Sequence, residues 1–222
     1  MTAITGSGGD AVQVQDLSFA YTDVDVIAIE RFELAEKSSC AIIGPSGSGK
    51  STFVHLLAGL LVASQGSVRI FDQELGALSE AERDRFRGRH IGFIFQQFHL
   101  FPALTVLDNL HLAQRLARVE RDPDKAHERL ARLNVDSLAR RKPSELSQGQ
   151  AQRVAVARAL AHAPKLIIAD EPTSALDEVN AVQTLDLLCE LTDSIDAALV
   201  VVTHDHRVLG RLDHEFELGA SQ

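Results

Sequence analysis

The sequence has no excess of basic residues: 22 Lys and Arg stand against 31 Asp and Glu, which gives a formal net charge of −9. An acidic chain has no general electrostatic attraction for nucleic acid or for anionic lipid. We therefore expect no nucleic-acid partner. Any anion that the protein binds must be held by a local arrangement of residues.

Long apolar runs and cysteines are also scarce. The longest apolar stretch, 53–63, is interrupted by a histidine and a glycine and is shorter than the roughly 20 residues that span a bilayer. Residues 1–10 lack the pattern of a secretory signal, and we expect them to form a disordered tail. Cys40 and Cys189 lack metal-type spacing and are typical of reduced cytosolic thiols. These absences predict a cytoplasmic protein with no direct membrane insertion.

What the 222-residue sequence does contain is an alternation of short apolar runs with helical patterns. This alternation favours the α/β class, and near-continuous β-branched runs are typical of a parallel sheet covered on both faces. The predicted strands are 12–19, 26–34, 39–44, 66–71, 91–95, 166–169 and 198–202. The predicted helices are 51–61, 79–87, 105–119, 124–133, 148–162 and 178–191, and a capping box of Ser79 and Glu82 starts the second. We interpret the mostly helical region 97–160 as an insertion into a core formed by 11–96 and 161–222.

One motif carries a specific chemistry. Residues 44–51 read GPSGSGKS and match G-x-x-x-x-G-K-[ST] between a predicted buried strand and a predicted helix. The glycines let successive N–H groups turn towards phosphate oxygens, and the following helix directs its positive N-terminal end to the same point. Lys50 supplies a mobile positive charge to the β and γ phosphates, and Ser51 offers a hydroxyl to Mg²⁺. The alternative is a plain glycine-rich turn. The predicted nucleoside-triphosphate site consists of Gly44, Pro45, Ser46, Gly47, Ser48, Gly49, Lys50, Ser51 and Thr52.

Two acidic residues follow the predicted strand 166–169. A strand that ends in an acid places Asp170 at the carboxyl edge of the sheet, beside the phosphate loop, where it can reach Mg²⁺. Glu171 comes next and can polarise an attacking water, as a general base does. Without the phosphate loop, two acids after a strand are usually a solvated turn.

Three further segments are LSQGQ at 146–150, ADEPTSALD at 169–177 and VVTHD at 201–205. Together with the phosphate loop, they resemble the nucleotide-binding subunit of ATP-binding-cassette transporters. The resemblance implies a P-loop NTPase core with a mainly parallel sheet, an N-terminal antiparallel β subdomain and a helical insertion. It also implies an ATPase with ATP and Mg²⁺ as cofactors. The implied partners are a second copy of the chain and integral-membrane permease subunits, which hold the protein on the cytoplasmic face of the inner membrane.

The resemblance assigns roles to single residues. Tyr21 matches the aromatic residue that stacks on adenine, and Gln96 matches the glutamine that senses Mg²⁺ and the attacking water. Asp177 matches the loop that couples two sites in a dimer, and His204 matches a histidine on the γ phosphate. Each also has a simpler interpretation: Tyr21 as an edge-strand aromatic, Gln96 as loop surface and His204 as a surface histidine.

The segment LSQGQ matches the signature that caps the γ phosphate held by the other subunit, which assigns this role to Ser147, Gly149 and Gln150. Ser147 and Gln150 also have the spacing of a helix N-terminal capping box, which explains them without a ligand. The third signature position, usually glycine, is Gln148 here. We expect activity to survive this departure with altered affinity or rate.

Residues 78–110 resemble the branch of the family that serves lipoprotein release and macrolide export. Within this region, Phe98, Leu100, Phe101 and Pro102 are candidates for an apolar face that receives a membrane subunit, or for ordinary core contacts. The sequence leaves two other functions open. One is the ATPase of an uptake system, and the other is a cassette ATPase that acts on nucleic acid or the ribosome.

Overall fold

The computed structural model describes residues 9–21, 25–173, 178–204 and 210–219. Its N-terminal part is an antiparallel sheet in the order β2-β1-β4-β5. The strands are β1 (Asp10–Ala20), β2 (Asp25–Ala35), β4 (Gln65–Ile70) and β5 (Gln73–Glu74). Alternating apolar residues of β1 are buried, and Val14 pairs with Phe32 on one side and Val68 on the other. Asp10 already belongs to β1, so the tail predicted over 1–10 is wrong at its last residue; residues 1–8 lie outside the described residues.

The second sheet is parallel throughout and has the order β6-β7-β8-β3-β9. Its strands are β3 (Ser39–Ile43), β6 (Ile91–Ile94), β7 (Leu166–Asp170), β8 (Ala198–Val202) and β9 (His214–Glu217). Every residue of β7 and β8 is buried, as their near-continuous apolar runs predict. Because the strands are parallel, the segments that follow β3, β6, β7 and β8 all leave the sheet at one edge.

Six α-helices accompany the sheets in the described residues: α1 (Lys50–Leu57), α2 (Glu80–His90), α3 (Val106–Leu116), α4 (Pro123–Arg132), α5 (Gln148–Leu160) and α6 (Glu178–Asp193). Two short 3₁₀ helices, Asp136–Leu138 and Pro143–Glu145, lie between α4 and α5. The predicted capping box is present at α2, where the Ser79 N–H donates to a carboxylate oxygen of Glu82 at 2.9 Å. Helix α1 ends at Leu57 and not at Leu61, because Gly59 adopts φ +64° and the chain turns back there. None of the helices in the described part of the chain combines the length and apolarity that crossing a bilayer requires.

Two hydrophobic clusters cover opposite faces of the parallel sheet. Ile168 and Val200 contribute to the first, which joins this face to α1 and to the antiparallel sheet. Their neighbours Ile167 and Val201 contribute to the second, together with apolar residues of α3, α4, α5 and α6. The alternation of side chains along β7 and β8 thus packs one sheet between two layers. The division into a core and a helical subdomain at 97–160 stays a prediction, since these helices share the second cluster with the sheet.

Candidate functional site

The phosphate loop lies between β3 and α1, at the carboxyl edge of the parallel sheet. Gly44 has φ +154°, and a Cβ there would lie 2.5 Å from the carbonyl oxygen of Leu218, just beyond β9. Gly49 has φ +88°, and a Cβ there would lie 3.0 Å from the carbonyl oxygen of Val26 on β2. Both positions therefore require glycine, because backbone from other elements packs directly against the loop.

Lys50 is folded back onto this loop. Its ammonium Nζ donates to the carbonyl oxygens of Gly44 and Pro45, at 2.8 Å each, and the residue is 7% exposed. Pro45, Ser46 and Gly47 are exposed to solvent. The positive charge is thus held beneath an accessible loop by neutral acceptors, which a phosphate can replace.

Asp170 and Ser51 meet across the sheet edge. The Ser51 hydroxyl donates to Asp170 Oδ1 at 3.3 Å, although the two residues are 119 positions apart. Asp170 is 7% exposed, and this burial raises the pKa of its carboxyl despite the hydrogen bond from Ser51. The pairing of β7 with β8, and of β8 with β3, brings Asp170 and Ser51 to the same edge.

Glu171 and His204 form a second pair at this edge. His204 Nδ1 lies 2.8 Å from Glu171 Oε1, and the side chains are 58% and 11% exposed, respectively. Glu171 has φ +51°, an uncommon conformation for a residue other than glycine, and its N–H donates to the carbonyl oxygen of Val202 at 2.9 Å. The strained backbone thus holds a shielded carboxylate beside an exposed imidazole, at the edge of the sheet where the phosphate loop also lies.

Gln96 and Tyr21 are both exposed to solvent. Ile94 pairs with Ala169, so Gln96 leaves the sheet at the same edge as Asp170, and it is exposed. Tyr21 is 60% exposed at the end of β1, and its hydroxyl oxygen lies 3.4 Å from Oγ1 of the buried Thr52. Its ring is packed edge-on against Phe19, with centroids 4.9 Å apart. An aromatic face is therefore held next to the start of α1.

The signature residues begin α5. The Gln150 N–H donates to Ser147 Oγ at 3.3 Å, and the Ser147 N–H donates to Gln150 Oε1 at 2.9 Å. The capping box is therefore present, while Ser147 and Gln148 are exposed and a Cβ at Gly149 would meet no atom within 4 Å. These residues bond to each other and not to the phosphate loop of their own chain. Asp177 lies outside the described residues.

Comparison with known proteins agrees with this geometry. A family model described as "ABC transporter" matches residues 30–174. The lipoprotein-releasing system ATP-binding protein LolD of Hydrogenovibrio crunogenus is 41% identical over 213 residues, which cover 93% of each chain. The chain belongs to the ABC transporter family.

Further relatives of this ABC cassette agree with the assignment. LolD of Legionella pneumophila is 40% identical over 192 residues, which cover 86% of this chain and 85% of the relative. Among solved structures, the dimeric ATP-binding cassette MJ0796 in a post-hydrolysis state, bound to ADP and Pi, superposes with a TM-score of 0.85. It is 32% identical, and the match covers 95% of this chain and 97% of that one. The predicted fold class is thereby confirmed.

Two features of the cassette's site were missed by sequence reasoning. The chain beyond β9 packs on Gly44, and His55 of α1 lies close enough to Asp170 to oppose the rise in its pKa. Neither feature has a local signal, because each depends on a contact between segments that are distant in sequence. The periodicity of α1 places His55 one turn after Ser51, which is the only hint available.

Proposed function

We propose that this chain is the ATP-hydrolysing subunit of an ABC transporter of the lipoprotein-releasing type. The observation that carries the proposal is the convergence of Lys50, Ser51, Asp170, Glu171 and His204 at one edge of the parallel sheet. The uptake and nucleic-acid alternatives are not favoured, because LolD proteins about 40% identical to this chain match most of its length.

The chain's own residues supply the groups that phosphoanhydride hydrolysis needs. Lys50 exchanges its two carbonyl acceptors for β- and γ-phosphate oxygens, and the loop N–H groups bind the remaining oxygens. Glu171 orients and polarises the attacking water, with His204 fixing the carboxylate and reaching the γ phosphate. General-base catalysis of this kind contributes roughly 10²- to 10⁴-fold in rate. Tyr21 stacks on adenine above Thr52.

The donors at this edge fit Mg²⁺. This ion prefers oxygen ligands and usually combines one or two protein groups with waters and substrate phosphates. The Ser51 hydroxyl and the Asp170 carboxylate already approach each other, and Gln96 follows β6 at the same edge of the sheet. These three residues would hold the ion, which neutralises charge on the phosphates when bound. The buried carboxylate of Asp170, whose pKa burial raises, would be favoured in its ionised form beside such a cation.

A second copy completes the site in this proposal. Ser147 is exposed and Gly149 faces open space, so the first turn of α5 presents free N–H groups and its positive end to an approaching anion. In the proposed dimer, this anion is the γ phosphate of the nucleotide bound by one chain, and it approaches the first turn of α5 in the other chain. Asp177 is proposed to couple the two sites.

The membrane partner is proposed to dock in an apolar groove. A cavity of about 460 Å³ lies between α2, α3 and α5, and Leu60, Phe101 and Leu116 along it are 41%, 51% and 62% exposed. Exposed large apolar side chains around one cavity are typical of a surface that a partner covers. A helix of a permease subunit fits such a groove and would keep the protein at the cytoplasmic face of the membrane.

Glu171→Gln tests the catalytic assignment. The variant should bind Mg-ATP and accumulate as an ATP-bound dimer in size-exclusion chromatography, with phosphate release reduced at least about 100-fold. Glu128→Gln, an exposed glutamate on α4, is the matched control and should hydrolyse ATP like the wild type. Wild-type turnover in Glu171→Gln would contradict the role of this residue. Capture of a permease by the trapped dimer from solubilised membranes tests the proposed transporter.

A further inference from the structure

A second cavity, of about 660 Å³, lies on the other flank of α3, against residues 117–121. Three arginines line it: Arg115, Arg118 and Arg121. All three are exposed, and in the described part of the chain none makes an ion pair or a side-chain hydrogen bond. Three unpaired guanidinium groups around one cavity stand out in a protein of net charge −9.

The acidic residues of this cavity do not neutralise the arginines. Asp108 accepts a hydrogen bond from the Thr105 hydroxyl at 2.7 Å and is part of the N-terminal cap of α3. Glu120 is exposed. Counting both carboxylates as ionised and the three guanidinium groups as charged leaves one uncompensated positive charge in the lining.

A buried histidine also lines this arginine cavity. His111 is 8% exposed, and among the described residues neither of its ring nitrogens has a hydrogen-bond partner; Asp108 Oδ1 lies 3.9 Å from Nδ1. Burial, followed by the nearby charge of Arg121, lowers the pKa of His111, and Asp108 opposes this shift. In its neutral form the ring carries one N–H donor. A buried polar group without a partner is costly, and a ligand in the cavity would satisfy it.

We propose that the arginine cavity is a binding site for a phosphate-bearing anion, separate from the nucleotide site. A guanidinium fork matches phosphate oxygens in a bidentate manner, and three forks offer more donors than the two oxygens of one carboxylate accept. Leu104, Leu112 and Val119 form an apolar wall beside the arginines, which leaves room for the group that carries the phosphate. None of the lining residues belongs to the phosphate loop or to the segments after β7 and β8. The phosphate can belong to a soluble compound or to a lipid headgroup.

The test measures binding while Mg-ADP saturates the nucleotide site. Inorganic pyrophosphate is titrated into the protein by calorimetry, and flotation is measured with phosphatidylglycerol vesicles and with phosphatidylcholine vesicles. Arg115→Gln combined with Arg121→Gln removes two of the three forks from exposed positions, so the fold is retained. Arg69→Gln on β4, also an exposed arginine, is the matched control.

We expect wild type and Arg69→Gln to bind one of these probes equally, and the double variant to bind it at least tenfold more weakly. Loss of pyrophosphate binding identifies a soluble phosphate compound, whereas loss of phosphatidylglycerol flotation alone identifies a lipid headgroup. The proposal is overturned if the wild type binds neither probe, if the double variant binds as well as the wild type, or if Arg69→Gln weakens binding equally.

Discussion

Gly149→Ala separates the stability of the fold from the function of the first turn of α5. Beyond its sequence neighbours and the backbone of its own helix, the Cβ added at Gly149 meets no atom of the described residues within 4 Å, and Gly149 is the second residue of α5. In the middle of a helix alanine is favoured over glycine by roughly 0.5–1 kcal/mol, which is an upper limit for a residue in the first turn. For a protein of this size we therefore expect the melting temperature to rise by at most about 4 °C.

The same substitution should reduce ATP hydrolysis. In the proposed dimer, the γ phosphate bound by the partner subunit approaches the N–H groups of this turn. The added methyl group would push that phosphate away from the N–H groups and break a hydrogen bond between them. Loss of one hydrogen bond to a charged group costs about 1.5–3 kcal/mol, which corresponds to a fall of roughly 10- to 150-fold in the rate.

Thermal unfolding and phosphate release are measured on the same preparations. Ala151→Gly, two residues along the same helix, is the inverse control: it should lower the melting temperature and leave hydrolysis unchanged. If Gly149→Ala hydrolyses ATP at the wild-type rate, the proposal that the partner's nucleotide approaches this turn is wrong. If its melting temperature falls markedly, the space around Gly149 is not open as the structure indicates.

Three other predictions concern stability. Gly92→Ala should lower the free energy of unfolding by about 1–3 kcal/mol in urea titrations, because its Cβ would lie 2.4 Å from the carbonyl oxygen of Ala159 and 2.7 Å from Cδ1 of Ile167; an unchanged midpoint would contradict this packing. Arg118 has φ +55° just after α3, so Arg118→Gly should raise the free energy of unfolding by about 1 kcal/mol, and a loss of stability would contradict the strain. Burial lowers the pKa of His162 to about 4 in the folded protein, whereas in the unfolded chain the imidazole has its ordinary pKa of about 6.5. The unfolded chain therefore binds a proton more readily, and the free energy of unfolding should fall as the pH drops from about 6.5 towards 4. His162→Gln should flatten this dependence in denaturant titrations at several pH values, and an unchanged slope would refute the assignment.

Sequence reasoning succeeded where burial leaves a local pattern. β7 and β8 are buried on both faces, so their apolar composition alone identifies them. It failed for β9, which has the sequence HEFE with partly buried and exposed residues in alternation, and which is a strand because it pairs with Cys40–Ile43 of β3. The hydrogen bonds that make β9 a strand come from β3, which lies 174 positions earlier in the chain. A pattern read over a short stretch of sequence cannot include both strands.

In the candidate site, too, features that depend on a local motif were predicted, and the particular contacts between distant segments were not. The phosphate loop is a local motif that the sequence shows directly, and in the fold its Lys50 donates to the loop's own carbonyl oxygens while Gly44 and Gly49 lie against backbone of other elements. The hydrogen bond from Ser51 to Asp170 depends on the order of strands in the sheet. The arginine cavity had no motif at all, because it arises from the way α3 and residues 117–121 pack together.

The position of β3 in its sheet has a consequence for biosynthesis. β3 is hydrogen-bonded to β8 on one side and to β9 on the other, and Gly44 at its end contacts Leu218. The ribosome makes β3 and the phosphate loop early, but both neighbouring strands emerge more than 150 residues later. Contacts of such high sequence separation form slowly, and until they form the apolar residues of β3 need protection. We therefore expect the nascent chain to carry its phosphate loop without the supporting sheet, and to bind nucleotide only after the chain up to Leu218 has left the ribosome.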